Sequence, residues 1–499
     1  MHTKKTGVVF IAFLLVFLSC EKTENTSENI AEAETSVELP PSDWTQSLYL
    51  LPLQISEGDS ESAALQEFYA LEMMQGLSRM EKVKVMPAPP QKQKTYSNAP
   101  LQIQGTIGEI KDDTLQIHVS ISNSETGEIL FEDNQSIPQD LFVTGQWIPE
   151  EEMAHAIGRP VRQTENTSDH TPDTEAVQLY KEGVDFLLND SKSDVDLAII
   201  RFKQALRIDS LFVNPLVGLS RAYLLIQENQ WQPHIVWTHL ALEAARKAMA
   251  MDPENPNAYV YAGKALYLLG DYQHAEENYK KAVRLNQSEI EAWKGLAEIY
   301  HSLGLYQTFL KVTETVLELN PADKEILIRR GLVELAYGQY RQAENSLLKA
   351  QNAPDKTGDL DLYLGMVYYY QNNFDKSLDH LYKSLAENKD ILLAKAFVAM
   401  TEVKQKKPDD ALSLVELDIK PAAYDQTGLG IAVAAVYCLL GRKTLAIEWI
   451  ETAYRAGYSD YIWLVNDSNF DALRQETDFL VLLNKIKDRW IKRAEGYSL

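Results

Sequence analysis

Small and aromatic residues recur at a fixed interval in the stretch from Pro256 to Thr357. Gly270, Gly304 and Gly338 lie thirty-four residues apart, and a tyrosine follows each glycine two residues later. Apolar positions between the glycines indicate two amphipathic helices in each interval. A fixed period of this length is typical of stacked helical hairpins, which bury their apolar faces only against one another.

Small residues flank these glycines on both sides. Gly263 precedes Gly270 by seven residues, and Ala275 and Ala282 follow it by five and twelve. Residues this small indicate positions where two helices approach closely. We therefore expect a bulkier side chain at Ala275 or Ala282 to cost about 1–3 kcal/mol through overpacking.

The motif within each interval resembles the tetratricopeptide repeat family. In one interval it consists of Tyr259, Ala262, Gly263, Leu266, Ala275, Tyr279 and Ala282, and in the next of Trp293, Leu296, Tyr300, Gly304 and Pro321. The resemblance implies an all-α superhelix of about seven to eight helical hairpins over residues 175–466. Residues 467–499 then read as a capping helix segment with a polar outer face.

A different pattern precedes the repeats, in residues 47–160. A helix-spaced stretch from Glu61 to Met80 separates two short strand-like runs, and three alternating segments follow, which predicts a strand, a helix, a strand and a three-strand meander. The order of elements, with the run from Gln104 to Ile107 and the turn at Gly127, resembles the TolB amino-terminal-like domain. We therefore expect a small α/β domain, joined to the array by a polar linker over residues 161–174.

The amino terminus has the pattern of an export signal. Lys4 and Lys5 precede an apolar run from Val8 to Leu18 that is short for a membrane span. Ser19 and Cys20 follow the run, and the whole segment resembles a bacterial lipoprotein signal, which implies cleavage after residue 19 and acylation of Cys20. The alternative is an ordinary cleaved signal with an incidental cysteine. Residues 20–46 are polar and predict a disordered tether, and Glu21 is compatible with outer-membrane sorting.

Charge and cysteine content limit the possible partners. The chain carries a formal charge of −24, and a surface this acidic repels phosphate backbones, so we expect no nucleic acid partner. The expected partners are a protein or peptide, and the lipid bilayer through acylated Cys20. Cys438 lies in an apolar run, which favours a core position over redox use.

Candidate catalytic and metal-binding motifs are weak, and we predict no catalytic residue, metal or cofactor. The string from Gly218 to Ala222 is similar to a nucleophile elbow, but it lacks the final glycine and a strand-turn-helix context. His234 and His239 are five residues apart, so they would point to different helix faces.

The resemblance to tetratricopeptide repeats implies a groove lined by the first helix of each hairpin. A mixture of apolar, aromatic and charged side chains suits a protein or peptide segment. For Tyr369 and Tyr370 the alternative is packing against neighbouring helices, whereas Tyr368 is expected in the core. As groove residues, both tyrosines should be replaceable by alanine without loss of the fold. The predicted groove residues are Val260, Lys264, Tyr267, Lys294, Glu298, His301, Ile328, Leu332, Leu335, Leu362, Met366, Tyr369 and Tyr370.

These patterns predict a non-enzymatic interaction scaffold, anchored by lipid in the bacterial cell envelope, most simply at the outer membrane and facing either the periplasm or the surface. A second hypothesis is a regulatory lipoprotein whose α/β domain senses a ligand and controls the array. A third hypothesis places a hydrolase centre in the α/β domain. It is disfavoured because residues 47–160 offer only His118 and His155 with dispersed carboxylates.

Overall fold

The computed structural model describes residues 39–40, 46–51, 54–55, 73, 77, 80, 83–87, 101–107, 114–124, 126–138, 148–159, 170–189, 191–231, 234–351 and 359–495. The predicted signal, Cys20, most of the tether and residues 161–169 of the predicted linker lie outside these ranges. Two compact units are present: residues 39–299 with 318–320, and residues 300–317 with 321–499. No helix in the described ranges is both long and apolar enough to cross a bilayer.

A small mixed sheet precedes the helices. Its strands are β1 (Gln46–Leu50), β2 (Gln54–Ile55), β3 (Val83–Pro87), β4 (Leu101–Ile107), β5 (Thr114–Asn123) and β6 (Ile129–Pro138). Strand β1 lies between β3 and β4 and is parallel to both, β2 pairs in parallel with β4, and β4, β5 and β6 form the predicted antiparallel meander. Alternate residues such as Ile117, Val119 and Ile121 are buried, because successive side chains of a strand point to opposite faces.

Other elements of this region are only partly described. Most of the helix predicted over residues 61–80 lies outside the described residues, although Met73 and Leu77 are helical and fully buried. Residues 108–113, between β4 and β5, also lie outside them. A short helix, α1 (Glu150–Ala156), follows the sheet and was not predicted from the sequence.

Eight helical hairpins lie between residues 174 and 455 as far as the structure describes them, which confirms the predicted fold class. The first four are α2 (Thr174–Leu188) with α3 (Lys192–Ile208), α4 (Asn214–Glu228) with α5 (Val236–Met251), α6 (Pro256–Leu268) with α7 (Tyr272–Leu285), and α8 (Ile290–Leu303) with α9 (Tyr306–Leu319). The next two are α10 (Lys324–Ala336) with α11 (Tyr340–Gln351), and α12 (Asp359–Tyr370) with α13 (Phe374–Glu387).

The seventh hairpin is irregular and the eighth is regular. Helix α14 (Leu392–Lys404) is followed by α15 (Pro408–Leu414), a π-helical turn (Val415–Ile419) and α16 (Lys420–Ala423). Pro421 lacks the backbone N–H that an uninterrupted α-helix needs, which accounts for the local change in hydrogen bonding. The eighth hairpin consists of α17 (Thr427–Leu439) and α18 (Lys443–Arg455).

The three periodic glycines occupy equivalent corners. Gly270, Gly304 and Gly338 join the two helices of their hairpins, with φ of +79°, +76° and +71°. Glycine adopts this left-handed conformation without the Cβ clash that other residues meet. The thirty-four-residue period of the glycines therefore marks the corners where the backbone requires glycine.

A second set of glycines lies where aromatic rings enter between helices. Phe202 of α3 contacts Gly183 of its own hairpin and Gly218 of the next, and a Cβ on either glycine would come within 2.7 Å of the ring. Tyr279 of α7 contacts Gly263 and Gly295 in the same way. The aromatic ring of a second helix therefore fills the space between two successive first helices.

The segment after the last hairpin forms α19 (Tyr461–Asn466), a 3₁₀ helix (Ser468–Leu473) and α20 (Thr477–Glu495). The guanidinium of Arg489 lies 3.8 Å from the ring centre of Tyr454, so part of the segment covers α18 as a cap would. Trp490, which is 2% exposed, lies elsewhere: its Nε1 donates to the carbonyl oxygen of Gly304 at 3.3 Å. The segment therefore also packs on the α8–α9 corner, a contact that was not predicted from the sequence.

Candidate functional site

The structure divides the predicted groove residues by burial. Lys264, Tyr267, Lys294, Glu298, His301, Ile328, Leu332 and Tyr370 are partly exposed. Val260, Leu335, Leu362, Met366 and Tyr369 are buried, each 4% exposed or less. Met366 lines the cavity described below, whereas Val260, Leu335, Leu362 and Tyr369 do not, and the prediction that these four lie on an open surface was wrong because they are buried. These side chains pack in the interior.

Tyr369 is held by the segment after the last hairpin. Its hydroxyl donates to Oδ1 of Asn469 at 2.5 Å, and its ring meets Phe397 edge-on with centres 5.5 Å apart. Tyr369 is therefore not the surface position on which the predicted tolerance to alanine rested, and we expect its replacement to destabilise the fold. The packing alternative is correct for this residue, and Tyr368 is buried as expected.

A cavity of about 680 Å³ lies within the second unit. Its volume falls in the range of roughly 300–1,000 Å³ that is usual for ligand pockets. The first helices of five successive hairpins contribute to its wall, as the resemblance implied, and residues 458–467 add a further side. The lining residues are His301, Tyr306, Leu332, Val333, Ala336, Tyr363, Met366, Tyr370, Asp390, Ile391, Leu392, Leu393, Phe397, Met400, Gln426, Gly428, Leu429, Ile431, Ala432, Ala435, Tyr458, Asp460, Trp463 and Asp467.

Four predicted groove residues therefore meet at one cavity: His301, Leu332, Met366 and Tyr370. No groove residue was predicted in α14 and α17, the first helices of the last two hairpins. Met400, Ile431 and Ala435 of these two helices also line the cavity. Residues 458–467 carry no repeat signal that would have placed them there.

The polar groups of the cavity are carboxylates and hydroxyls. Asp460 accepts hydrogen bonds from the Tyr306 hydroxyl at 3.2 Å and from the backbone N–H of Trp463 at 3.1 Å. Burial nevertheless raises the pKa of Asp460 above its ordinary value. Asp460 nevertheless remains partly exposed to solvent.

Asp467 is more deeply placed, with 6% of its surface exposed. It accepts the backbone N–H of Asn469 at 2.9 Å and faces the Tyr370 hydroxyl. Burial raises the pKa of Asp467 to about 6, although its hydrogen bonds and Arg474 act in the opposite direction. Both aspartates begin short helical turns, so each has a structural role as an N-cap as well.

His301 is neutral in this environment. Burial, with a smaller contribution from Arg329 and Arg493, lowers the pKa of His301 to about 4. Burial and the nearby Asp460 carboxylate raise the pKa of Tyr306, so its hydroxyl stays protonated as a donor.

The weak catalytic candidates have structural roles. The Oγ of Ser220 is fully buried and donates to the carbonyl oxygen of Ala241 at 2.8 Å, which ties α4 to α5. Cys438 is buried, and burial raises the pKa of its thiol to about 11, so it lacks thiolate character. Within the described ranges, no group of three or more His, Cys, Asp or Glu side chains is arranged to hold a metal ion.

Comparison with known proteins agrees with the hairpin architecture. Residues 263–304 match the family model described as TPR repeat. Protein O-mannosyl-transferase TMTC1 from Homo sapiens is 30% identical over 130 residues, which cover 26% of this chain and 14% of that protein. BBSome complex member BBS4 from Bos taurus is 27% identical over 175 residues, which cover 35% of this chain and 32% of that protein.

Similar solved structures include a tetratricopeptide repeat protein from Parabacteroides merdae, with a TM-score of 0.39, 20% identity, and coverage of 53% of this chain and 98% of that one. Pseudomonas aeruginosa pilF gives a TM-score of 0.40 at 16% identity, covering 45% of this chain and 97% of that one. The family match is thus confined to residues 263–304, and proteins with such repeats generally act as scaffolds for protein–protein interaction. The chain spans about a third or less of the length of the two curated relatives.

Proposed function

We propose that this chain is a membrane-anchored, non-enzymatic scaffold of the bacterial cell envelope that binds a protein or peptide segment in the cavity of the second unit. The observation that carries the proposal is the cavity itself, about 680 Å³ in volume and lined by the first helices of five hairpins. Its aromatic and aliphatic side chains supply the apolar contacts that dominate peptide affinity, and its few hydroxyls and carboxylates give direction.

The anchoring half of the proposal rests on the sequence. Lys4, Lys5, the apolar run and Cys20 resemble a lipoprotein signal, and a disordered tether would let the folded units reach a partner at some distance from the bilayer. A Cys20→Ser variant should lose incorporation of labelled fatty acid and move from the membrane to the soluble fraction. Retention of the label in that variant would refute acylation at Cys20.

Site-specific photo-crosslinking tests the binding half. Tyr363 lines the cavity and is partly exposed, whereas Tyr382 of the same hairpin is 52% exposed and does not line it. A photoreactive phenylalanine analogue in place of Tyr363 should give discrete adducts in envelope preparations, and the same analogue in place of Tyr382 should not. Equal adducts at both positions would contradict binding in the cavity.

A contact between the sheet and the helices favours the regulatory hypothesis as a second candidate. In the first unit, the backbone N–H of Val85 in β3 donates to the Oγ of Ser288 at 3.0 Å, and Nζ of Lys84 lies 3.6 Å from the carboxylate of Glu318. A ligand that moved β3 would therefore act directly on the hairpin region. Hydrogen exchange of the amides around residues 286–290 should change when β3 is perturbed by Lys84→Ala, and no change would exclude this route.

A further inference from the structure

The two aspartates of the cavity lack an ion-pair partner among the described residues. Asp460 receives its hydrogen bonds from a tyrosine hydroxyl and a backbone N–H, and Asp467 receives a backbone N–H and faces the Tyr370 hydroxyl. Arg493 and Arg474 lower the pKa of Asp460 and Asp467 through space, but no ion pair joins them to these carboxylates in the described structure. Arg493 donates to Ser459, and Arg474 pairs with Asp471 at 2.8 Å. Among the described residues, the hydrogen bonds to the two carboxylates therefore come from neutral donors.

No positive charge on the described cavity wall offsets these carboxylates. The lining residues include neither lysine nor arginine. His301 is the sole titratable nitrogen among them and is uncharged near neutral pH, because burial lowers its pKa. Asp390, which is exposed, adds a further acidic group to the lining.

Aromatic rings surround the same space. Trp463 meets Tyr370 edge-on with ring centres 6.1 Å apart, and Phe397 lies 6.0 Å from Tyr370. Tyr306, Tyr363 and Tyr458 complete the set of aromatic lining residues. The faces of such rings attract a cation, and the attraction grows when water is excluded.

We propose that the cavity recognises a positively charged side chain, lysine or arginine, that projects from a peptide segment with apolar neighbours. This inference rests on the proposed function and specifies the chemistry of its ligand. The cation would lie between the carboxylates of Asp460 and Asp467 and the surrounding rings. The apolar neighbours would contact aliphatic lining residues such as Leu332, Ile391 and Leu429, since about 680 Å³ exceeds the volume of one side chain.

Two features favour a basic peptide over an acidic or a wholly apolar one. An acidic peptide would bring like charge next to the carboxylates of Asp460 and Asp467, which is destabilising in a poorly solvated site. A wholly apolar segment would leave both carboxylates desolvated without a charged partner, a state that is costly in a protein interior. The raised pKa values of Asp460 and Asp467 agree with carboxylates that lack a cation.

The test uses four capped, fluorescently labelled peptides that share apolar flanks and carry lysine, arginine, norleucine or glutamate at the centre. Binding to the full chain is measured by fluorescence anisotropy at two ionic strengths. We expect the lysine and arginine peptides to bind at least about tenfold more tightly than the norleucine peptide, which is the effect of one charge-assisted hydrogen bond. The glutamate peptide should bind most weakly.

Matched variants locate the effect. Asp460→Asn and Asp467→Asn keep the shape and the N-cap but remove the charge, so each should reduce the preference for lysine over norleucine. Asp323→Asn is the control, because Asp323 is also a buried N-cap, of α10, and does not line the cavity. Thermal unfolding of all three variants shows whether the fold is retained.

The outcomes separate this inference from the proposed function. If the norleucine peptide binds as tightly as the lysine peptide and is crosslinked at position 363, the charge preference is refuted and peptide binding stands. An undiminished preference for lysine in both folded aspartate variants also refutes it. If none of the four peptides binds, both proposals fail.

Discussion

Trp490 provides a direct test of where the segment after the last hairpin lies. Its indole is 2% exposed, donates a hydrogen bond to Gly304, and stacks on Tyr461 with ring centres 5.6 Å apart. Replacing a buried tryptophan by alanine costs about 3–5 kcal/mol through lost burial and a residual cavity. Loss of one hydrogen bond typically costs about 1 kcal/mol of stability. We therefore expect Trp490→Ala to lower the free energy of unfolding by about 4 kcal/mol.

Urea denaturation followed by far-UV circular dichroism measures that loss. Leu480→Ala is the matched control, since Leu480 lies on the same helix, α20, but is 44% exposed. It should cost well under 1 kcal/mol, as surface substitutions usually do. Hydrogen exchange adds a local readout, because amides of residues 461–473 should exchange faster in Trp490→Ala. If the two variants were equally stable, Trp490 would not be buried against the α8–α9 corner, and the described position of α20 would be incorrect.

Three further predictions follow from the same contacts. Gly304→Ala should destabilise the fold more than Gly338→Ala. A Cβ at Gly304 would lie 2.2 Å from the Trp490 indole nitrogen, whereas the atom nearest to a Cβ at Gly338 is 3.8 Å away. The difference in stability between the two variants should shrink in a Trp490→Ala background. Tyr369→Phe should cost about 1–2 kcal/mol in urea unfolding by leaving the buried Asn469 oxygen without its donor, and a neutral effect would contradict that hydrogen bond. For Asp467 the folded pKa of about 6 exceeds the ordinary 3.8, so ionisation destabilises the folded state as pH rises through this window. The free energy of unfolding of Asp467→Asn should therefore rise by about 3 kcal/mol relative to that of the parent between about pH 4 and pH 8. A constant difference between the two proteins across that range would refute the raised pKa.

The repeat architecture was accessible from the sequence because its causes are local. A left-handed corner requires glycine, so Gly270, Gly304 and Gly338 reveal the period directly. The glycines that face Phe202 and Tyr279 were harder to interpret, because Gly218 and Gly295 belong to the hairpin after the one that supplies the ring. Within its own helix, Gly218 opens a string that is similar to a nucleophile elbow, whereas in the structure it leaves room for the ring of Phe202.

The candidate site was only partly accessible. His301, Leu332, Met366 and Tyr370 followed from the position of the first helix in each hairpin, and they do line one cavity. Tyr369 did not behave as a groove residue, since Asn469 lies one hundred residues further along the chain and covers it. Whether a residue of the groove face is buried depends on which distant segment packs against that face. The helical periodicity of the sequence does not show which segment this is.

The sequence by itself determined the order of strands and helical hairpins, the corners between helices, and the faces of α8, α10 and α12 that carry His301, Leu332, Met366 and Tyr370 into the cavity. These properties follow from backbone conformation and from the spacing of apolar residues within one or two helices. Only the tertiary structure decided that Trp490 packs on Gly304, which lies 186 residues earlier, and that Asp460 and Asp467 enter the same cavity as Tyr370. Such contacts arise because the apolar face of the last segment must be buried somewhere, and the available surface is created only when distant hairpins have folded.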